Sequence, residues 1–78
     1  MTEYVDLLIA PEHRLAAMRE LDEWNKQQRK NQVWVIGDDA GRVFVGDAPV
    51  GALPRLSHCG IVYETRPRDP RRPMPNFV

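Results

Sequence analysis

The sequence predicts a small α+β domain: one four-stranded sheet in the order β-α-β-β-β, with one helix on one face and an extended C-terminal arm. Three observations carry this. Short runs of β-branched and aromatic residues recur along the chain, a single long stretch has apolar residues at helical spacing, and the last thirteen residues hold four of the seven prolines. Seventy-eight residues allow one domain, assigned to 1–65, with 66–78 as the arm.

Tyr4-Val5-Asp6-Leu7-Leu8-Ile9 alternates Val5, Leu7 and Ile9 on one side with Tyr4, Asp6 and Leu8 on the other, which reads as a first strand. Pro11 suits the first helical position, where its missing N–H costs nothing, and Glu12 suits the positive helix start. A helix over 11–30 follows. It is expected to bury Leu15, Ala17, Met18, Leu21 and Trp24, and to end on Lys26, Arg29 and Lys30 at its negative terminus.

Residues 33–36 and 42–45 flank Asp38-Asp39-Ala40-Gly41 and form a β-hairpin with Gly37 opposite Arg42. Gly46, Pro49, Gly51 and Pro54 make 46–58 a loop, and residues 61–64 form a fourth strand. A helical crossover from the first strand to the second favours a parallel pair. The hairpin then carries Val33, Val35 and Phe44 on one face and Trp34, Ile36, Val43 and Val45 on the other. One helix covers only one of these faces. The expectation is a homodimer through Trp34, Ile36, Val43 and Val45, with the loop, the arm or a partner as other covers.

The chain as a whole lacks the basic excess expected of a general nucleic-acid binder, because eleven basic residues balance eleven acidic ones. The balance conceals a split: 1–65 carries seven basic against ten acidic residues, and 66–78 carries four arginines against Asp69. Glu20, Asp22 and Glu23 enrich the helix in acid, and read either as a solvated face or as a patch for a basic protein surface. Arg66, Arg68, Arg71 and Arg72 read either as a solubilising tail or as phosphate contacts.

Chemistry is sparse. His58-Cys59 is the one adjacent pair of ligand or nucleophile type, and neighbours on an extended strand point to opposite faces, so His58 is poorly placed to activate Cys59. One cysteine and two histidines have no zinc-ligand spacing, and Asp38-Asp39 lacks the remaining oxygens of a calcium loop. The glycine-bearing loops 37–41 and 46–51 lack the lysine and hydroxyl of a phosphate loop. No enzyme, metal or cofactor is therefore expected. No apolar run reaches the roughly 18 residues of a membrane span, and the acidic start lacks a signal-peptide basic region, so a cytoplasmic location is expected.

In size, single compact domain and absence of a catalytic motif, the chain resembles the small accessory proteins of phages and mobile elements, including those of the anti-CRISPR type. The resemblance is one of general type and transfers no residue. It implies a non-enzymatic module that binds another protein or protein complex, as an inhibitor of a nucleic-acid-handling complex by steric blocking. The alternative is a small regulatory or packaging protein whose arginine arm follows nucleic acid.

Overall fold

The structure, a computed structural model, describes residues 3–29, 32 and 34–73. It is an α+β fold. Strand β1 (Tyr4–Ile9) leads through a 3-10 turn at Pro11–His13 into helix α1 (Arg14–Gln27). The hairpin β2 (Val35–Asp39) and β3 (Arg42–Pro49) follows, then a 3-10 turn at Val50–Ala52, helix α2 (Leu53–His58) and β4 (Tyr63–Pro67). The sheet is antiparallel throughout, in the order β2-β3-β1-β4. The connectivity is β-α-β-β-α-β, with β3 inserted between β1 and β2.

Three expectations need correction. The first and second strands run in the same direction but do not pair, because β3 lies between them and pairs with both. Residues 46–58 are not a loop. Strand β3 continues through Gly46, Asp47, Ala48 and Pro49, all buried, and Pro54 falls in the first turn of α2, where proline is tolerated. A second helix therefore joins the first on the same side of the sheet. β4 begins two residues later than read, and takes Arg66 and Pro67 from the arm.

The hairpin register also differs by two residues, with Asp39 opposite Arg42 and Gly37 opposite Phe44. Ala40 (φ 53°) and Gly41 (φ 82°) both adopt left-handed backbone, which gives a two-residue turn whose twist matches that of the strands. A shift of two preserves the faces, so Trp34, Ile36, Val43 and Val45 do share one side. It is the helix-covered side, and Val45 has no exposed surface. These four therefore do not form a free dimer face. The pairing of β3 with β1 decides this: Val45 lies opposite Leu7 and Val43 opposite Ile9, which makes them one apolar surface with the inward face of β1.

The core consists of Leu7 and Ile9 from β1, Ala17 and Leu21 from α1, Val45 and Ala48 from β3, Ala52 and Leu56 around α2, and Ile61. Leu15 was expected inside but is 81% exposed. The buried stripe of α1 is Ala17, Leu21 and Asn25 instead. Asn25 donates through Nδ2 to the carbonyl of Gln32 (3.2 Å), tying the end of α1 to the chain entering β2. Lys30 at the expected helix end and Val33 at the expected strand start lie outside the described residues.

Candidate functional site

The opposite sheet face is the one no helix covers, and the arm folds onto it. Asp6 leaves this face of β1. Opposite it, β3 carries a bulge: Val45 pairs with Leu7 and Ala48 with Val5, so Gly46 and Asp47 together oppose Asp6. Asp47 takes a left-handed φ of 59°, and its backbone N–H donates to Asp6 Oδ1 (3.1 Å). Two nearly buried carboxylates are thereby brought together.

Arginines of the arm neutralise them. Arg72 grips Asp6 with both terminal nitrogens (2.7 and 3.1 Å) and also reaches Asp47 (3.0 Å). Arg68 Nε donates to Asp47 (2.7 Å), while its Nη2 donates to the carbonyls of Arg72 (3.0 Å) and Pro73 (2.7 Å), which fixes the turn of the arm. The Arg72 guanidinium lies 5.6 Å from the centre of the Phe44 ring. Gly46 makes its seat: a β-carbon there would stand 3.0 Å from Arg72 Nη1 and 3.2 Å from Val35 Cβ. Burial alone would raise the Asp6 carboxyl, but the hydrogen bonds from Arg72 and Asp47 and the charges of Arg72 and Arg68 hold it below the usual carboxylate range. The same carboxylates raise the pKa of Arg72.

Of the four arm arginines, Arg66 pairs with Asp39 across the sheet (2.8 Å), and Arg68 and Arg72 are engaged in the cluster. Arg71 alone projects, 91% exposed, beside Asp69 (3.4 Å). An independent arm carrying four free charges is thus corrected over residues 66–73. The expected part played by residues 74–78, including Phe77 and Val78, lies outside the described residues.

The three acidic residues of α1 do not act together either. Glu20 turns to Arg55 of α2 (3.3 Å) with its side chain 20% exposed, Asp22 accepts from Trp34 Nε1 (3.1 Å), and Glu23 pairs with Lys26 (3.2 Å). Each has an internal partner, and Glu20 belongs to the joint between the helices. Glu20 is thus drawn off the solvated face, while Asp22 stays exposed and Glu23 keeps 44% of its side chain in solvent.

Cys59 and His58 sit at the end of α2, exposed to solvent. Desolvation and the Glu20 carboxylate push the Cys59 thiol up, away from the reactive thiolate form. Among the described residues no group of three or more His, Cys, Asp or Glu side chains could hold a metal ion, and no helix is long and apolar enough to cross a membrane.

Two clefts meet at Pro11, and sequence reasoning identified neither. The larger, about 560 Å³, runs between the start of α1 and the hairpin and is lined by Pro11, Arg14, Ile36, Gly37, Asp38, Gly41 and Val43. The smaller, about 230 Å³, lies at the other side of the corner, where Leu8, Ala10, Pro11, Val62 and Tyr63 form apolar walls and Arg42 and Glu64 the polar rim. Arg42 and Glu64 are bonded to one another. Val62 in its wall is 72% exposed. The sequence places Val62 inside the fourth strand and so gives no sign of a cleft; in the structure Val62 precedes β4. No family model, curated protein or solved structure matches this chain.

Proposed function

We propose that this protein is a non-enzymatic protein-binding module whose contact surface is the small apolar cleft at the Ala10–Pro11 corner. The observation that carries the reading is the pairing of Arg42 with Glu64 on the rim of that cleft. A small-molecule site needs a few free polar groups to fix orientation, and usually occupies at least roughly 300 Å³. This cleft is smaller, and its two charged side chains satisfy each other. What it offers is an apolar recess beside the exposed Val62, suited to one apolar side chain of a protein partner.

Two further features favour binding over chemistry or phosphate recognition. The Cys59 thiol is pushed toward its neutral form, and three of the four arm arginines are committed within the molecule. Steric blocking of a larger complex, including a nucleic-acid-handling complex of the CRISPR type, is a use that such a module serves without any reacting group.

The test is cross-linked capture from the source cell, with wild type compared with Val62→Asp and with Leu15→Asp as a surface control. Recovery of one partner by wild type and Leu15→Asp, and its loss with Val62→Asp at unchanged thermal stability, is the expected result. Equal recovery by all three removes the cleft from function. Tight, salt-sensitive binding of unrelated duplex DNA would replace the reading with the arginine-arm alternative.

A further inference from the structure

The arm is fastened to the sheet by its guanidinium groups. Every hydrogen bond that residues 68–73 make to the sheet comes, among the described residues, from the side chain of Arg68 or Arg72, and each ends on Asp6 or Asp47. Its turn is closed by bonds of its own. Arg68 Nη2 donates to the carbonyls of Arg72 and Pro73, the Arg72 N–H donates to the carbonyl of Asp69 (3.0 Å), and the Arg71 N–H donates to Asp69 Oδ1 (2.9 Å). The result is a preformed arginine turn laid on two carboxylates.

We propose that Asp6 and Asp47 mask a latent site for the phosphate backbone of a nucleic acid, made by Arg68, Arg71 and Arg72, and that the arm exchanges between these carboxylates and the phosphates. The masking groups imitate what they exclude. Arg72 holds Asp6 with two nitrogens (2.7 and 3.1 Å), the same fork of donors that fits two phosphate oxygens. Arg71, on the same turn, is 91% exposed, so the mask covers two of three charges and leaves one in solvent where an encounter begins. Three guanidiniums within five residues, on a turn rather than in an enclosed pocket, suit the repeated charges of a phosphate chain better than a single ion. Residues 68–73 hold no apolar side chain other than proline, which argues for a nucleic acid in water over a lipid interface. The masked site shares no residue with the Val62 cleft, so the two readings fail independently.

The magnitudes follow from the contacts. Apparent affinity is lowered by the fraction of molecules in which the arm is released, and two nearly buried carboxylates that would be left without Arg72 and Arg68 keep that fraction small. On duplex DNA each freed guanidinium adds about 0.9 to the steepness of the salt dependence, so Arg68 and Arg72 together add about 1.8.

Asp6→Asn combined with Asp47→Asn lifts the mask. Asparagine at position 6 still accepts from the N–H of residue 47, and asparagine at 47 tolerates the left-handed φ of 59°. Fluorescence anisotropy with a labelled duplex of unrelated sequence, over a range of salt, compares this variant with wild type and with Glu3→Gln combined with Glu12→Gln, which changes net charge equally at two exposed positions. The unmasked variant is expected to bind at least about tenfold more tightly than wild type, with the steeper salt dependence, and to lose the gain when Arg68→Gln and Arg72→Gln are added. The charge-matched control is expected to stay close to wild type. No gain, an equal gain in the control, or a gain that survives loss of the two arginines overturns the proposal, as does binding to anionic phospholipid vesicles without binding to the duplex. Should circular dichroism show the double variant unfolded, Asp47→Asn alone, which releases Arg68 and one contact of Arg72, takes its place with the same results deciding.

Discussion

Arg72→Met is the most demanding test of how the arm is held. The substitution keeps most of the aliphatic stem and deletes the guanidinium, with its three short contacts to Asp6 and Asp47 and its position over Phe44. Asp6 and Asp47 are 8% and 6% exposed at their side chains, so neither recovers its lost partner from bulk water. Breaking a fully buried pair from one side costs about 3–5 kcal/mol. Arg72 is 23% exposed, Asp6 keeps the Asp47 N–H, and Asp47 keeps Arg68, which together bring the expected loss to about 2 kcal/mol. The contact over Phe44 adds roughly 0.5–1 kcal/mol. A domain of this length has about 4–12 kcal/mol in total. Urea unfolding followed by tryptophan fluorescence should therefore show a loss of about 2–3 kcal/mol, with the Tm lower by roughly 10–20 °C. Asp6→Asn combined with Arg72→Met should cost less than the sum of the two. A loss for Arg72→Met below about 0.5 kcal/mol would refute the reasoning and return the arm to the status of a loose tail.

Three smaller perturbations address neighbouring contacts. Because Asp6 has a lower pKa folded than its ordinary value of 3.8, its contribution is fully present above that pH and is lost as pH falls through the folded value; Asp6→Asn should flatten the stability profile measured by denaturation between pH 5 and 2. Gly46→Ala should displace Arg72 from its seat and lower stability by about 1–3 kcal/mol, with little further loss when added to Arg72→Met. Ala40→Asn places a residue tolerant of left-handed backbone in the hairpin turn, and should raise the urea midpoint by an amount equivalent to about 0.5–1 kcal/mol.

The elements with strong local signals were legible. β1 was read at its observed bounds, because alternation over six residues leaves little choice of phase, and the pairs of hairpin residues that share a face were grouped correctly. What failed depended on partners far along the chain. Which hairpin face meets the helices is decided by Val45 and Val43 lying opposite Leu7 and Ile9, a pairing no local pattern announces. Pro49, Gly51 and Pro54 looked like loop punctuation because their composition is that of a turn, yet Pro54 begins a helix and Pro49 closes a strand. Leu15 follows the helical period only loosely, and Asn25, one turn beyond Leu21, occupies the buried position instead. The charge cluster was invisible for a related reason: Asp6 and Arg72 stand 66 residues apart, and each alone looks like a solvated charge.

The arm also answers why a chain of this size places charge where a second apolar layer would be expected. The open face offers Leu8, Val35 and Phe44, interrupted by Gly37 and Gly46, whose missing side chains leave too little apolar relief to hold a helix. A flat guanidinium fits where a helix does not: it lies over Phe44, enters the space Gly46 vacates and ends on two carboxylates that a bulge has brought together. Apolar cover would give comparable or greater stability, since buried ion pairs are seldom better than hydrophobic replacements. It would not fix one position along the sheet. Arg72 grips Asp6 in a two-pronged geometry that a displacement of one residue would break, so the charges give the arm a unique register and commit the arginines that would otherwise make the tail a general phosphate binder. On that account the chain itself covers the part of the open face around Phe44, Gly46 and Asp6, and the Val62 cleft is the surface left for a partner.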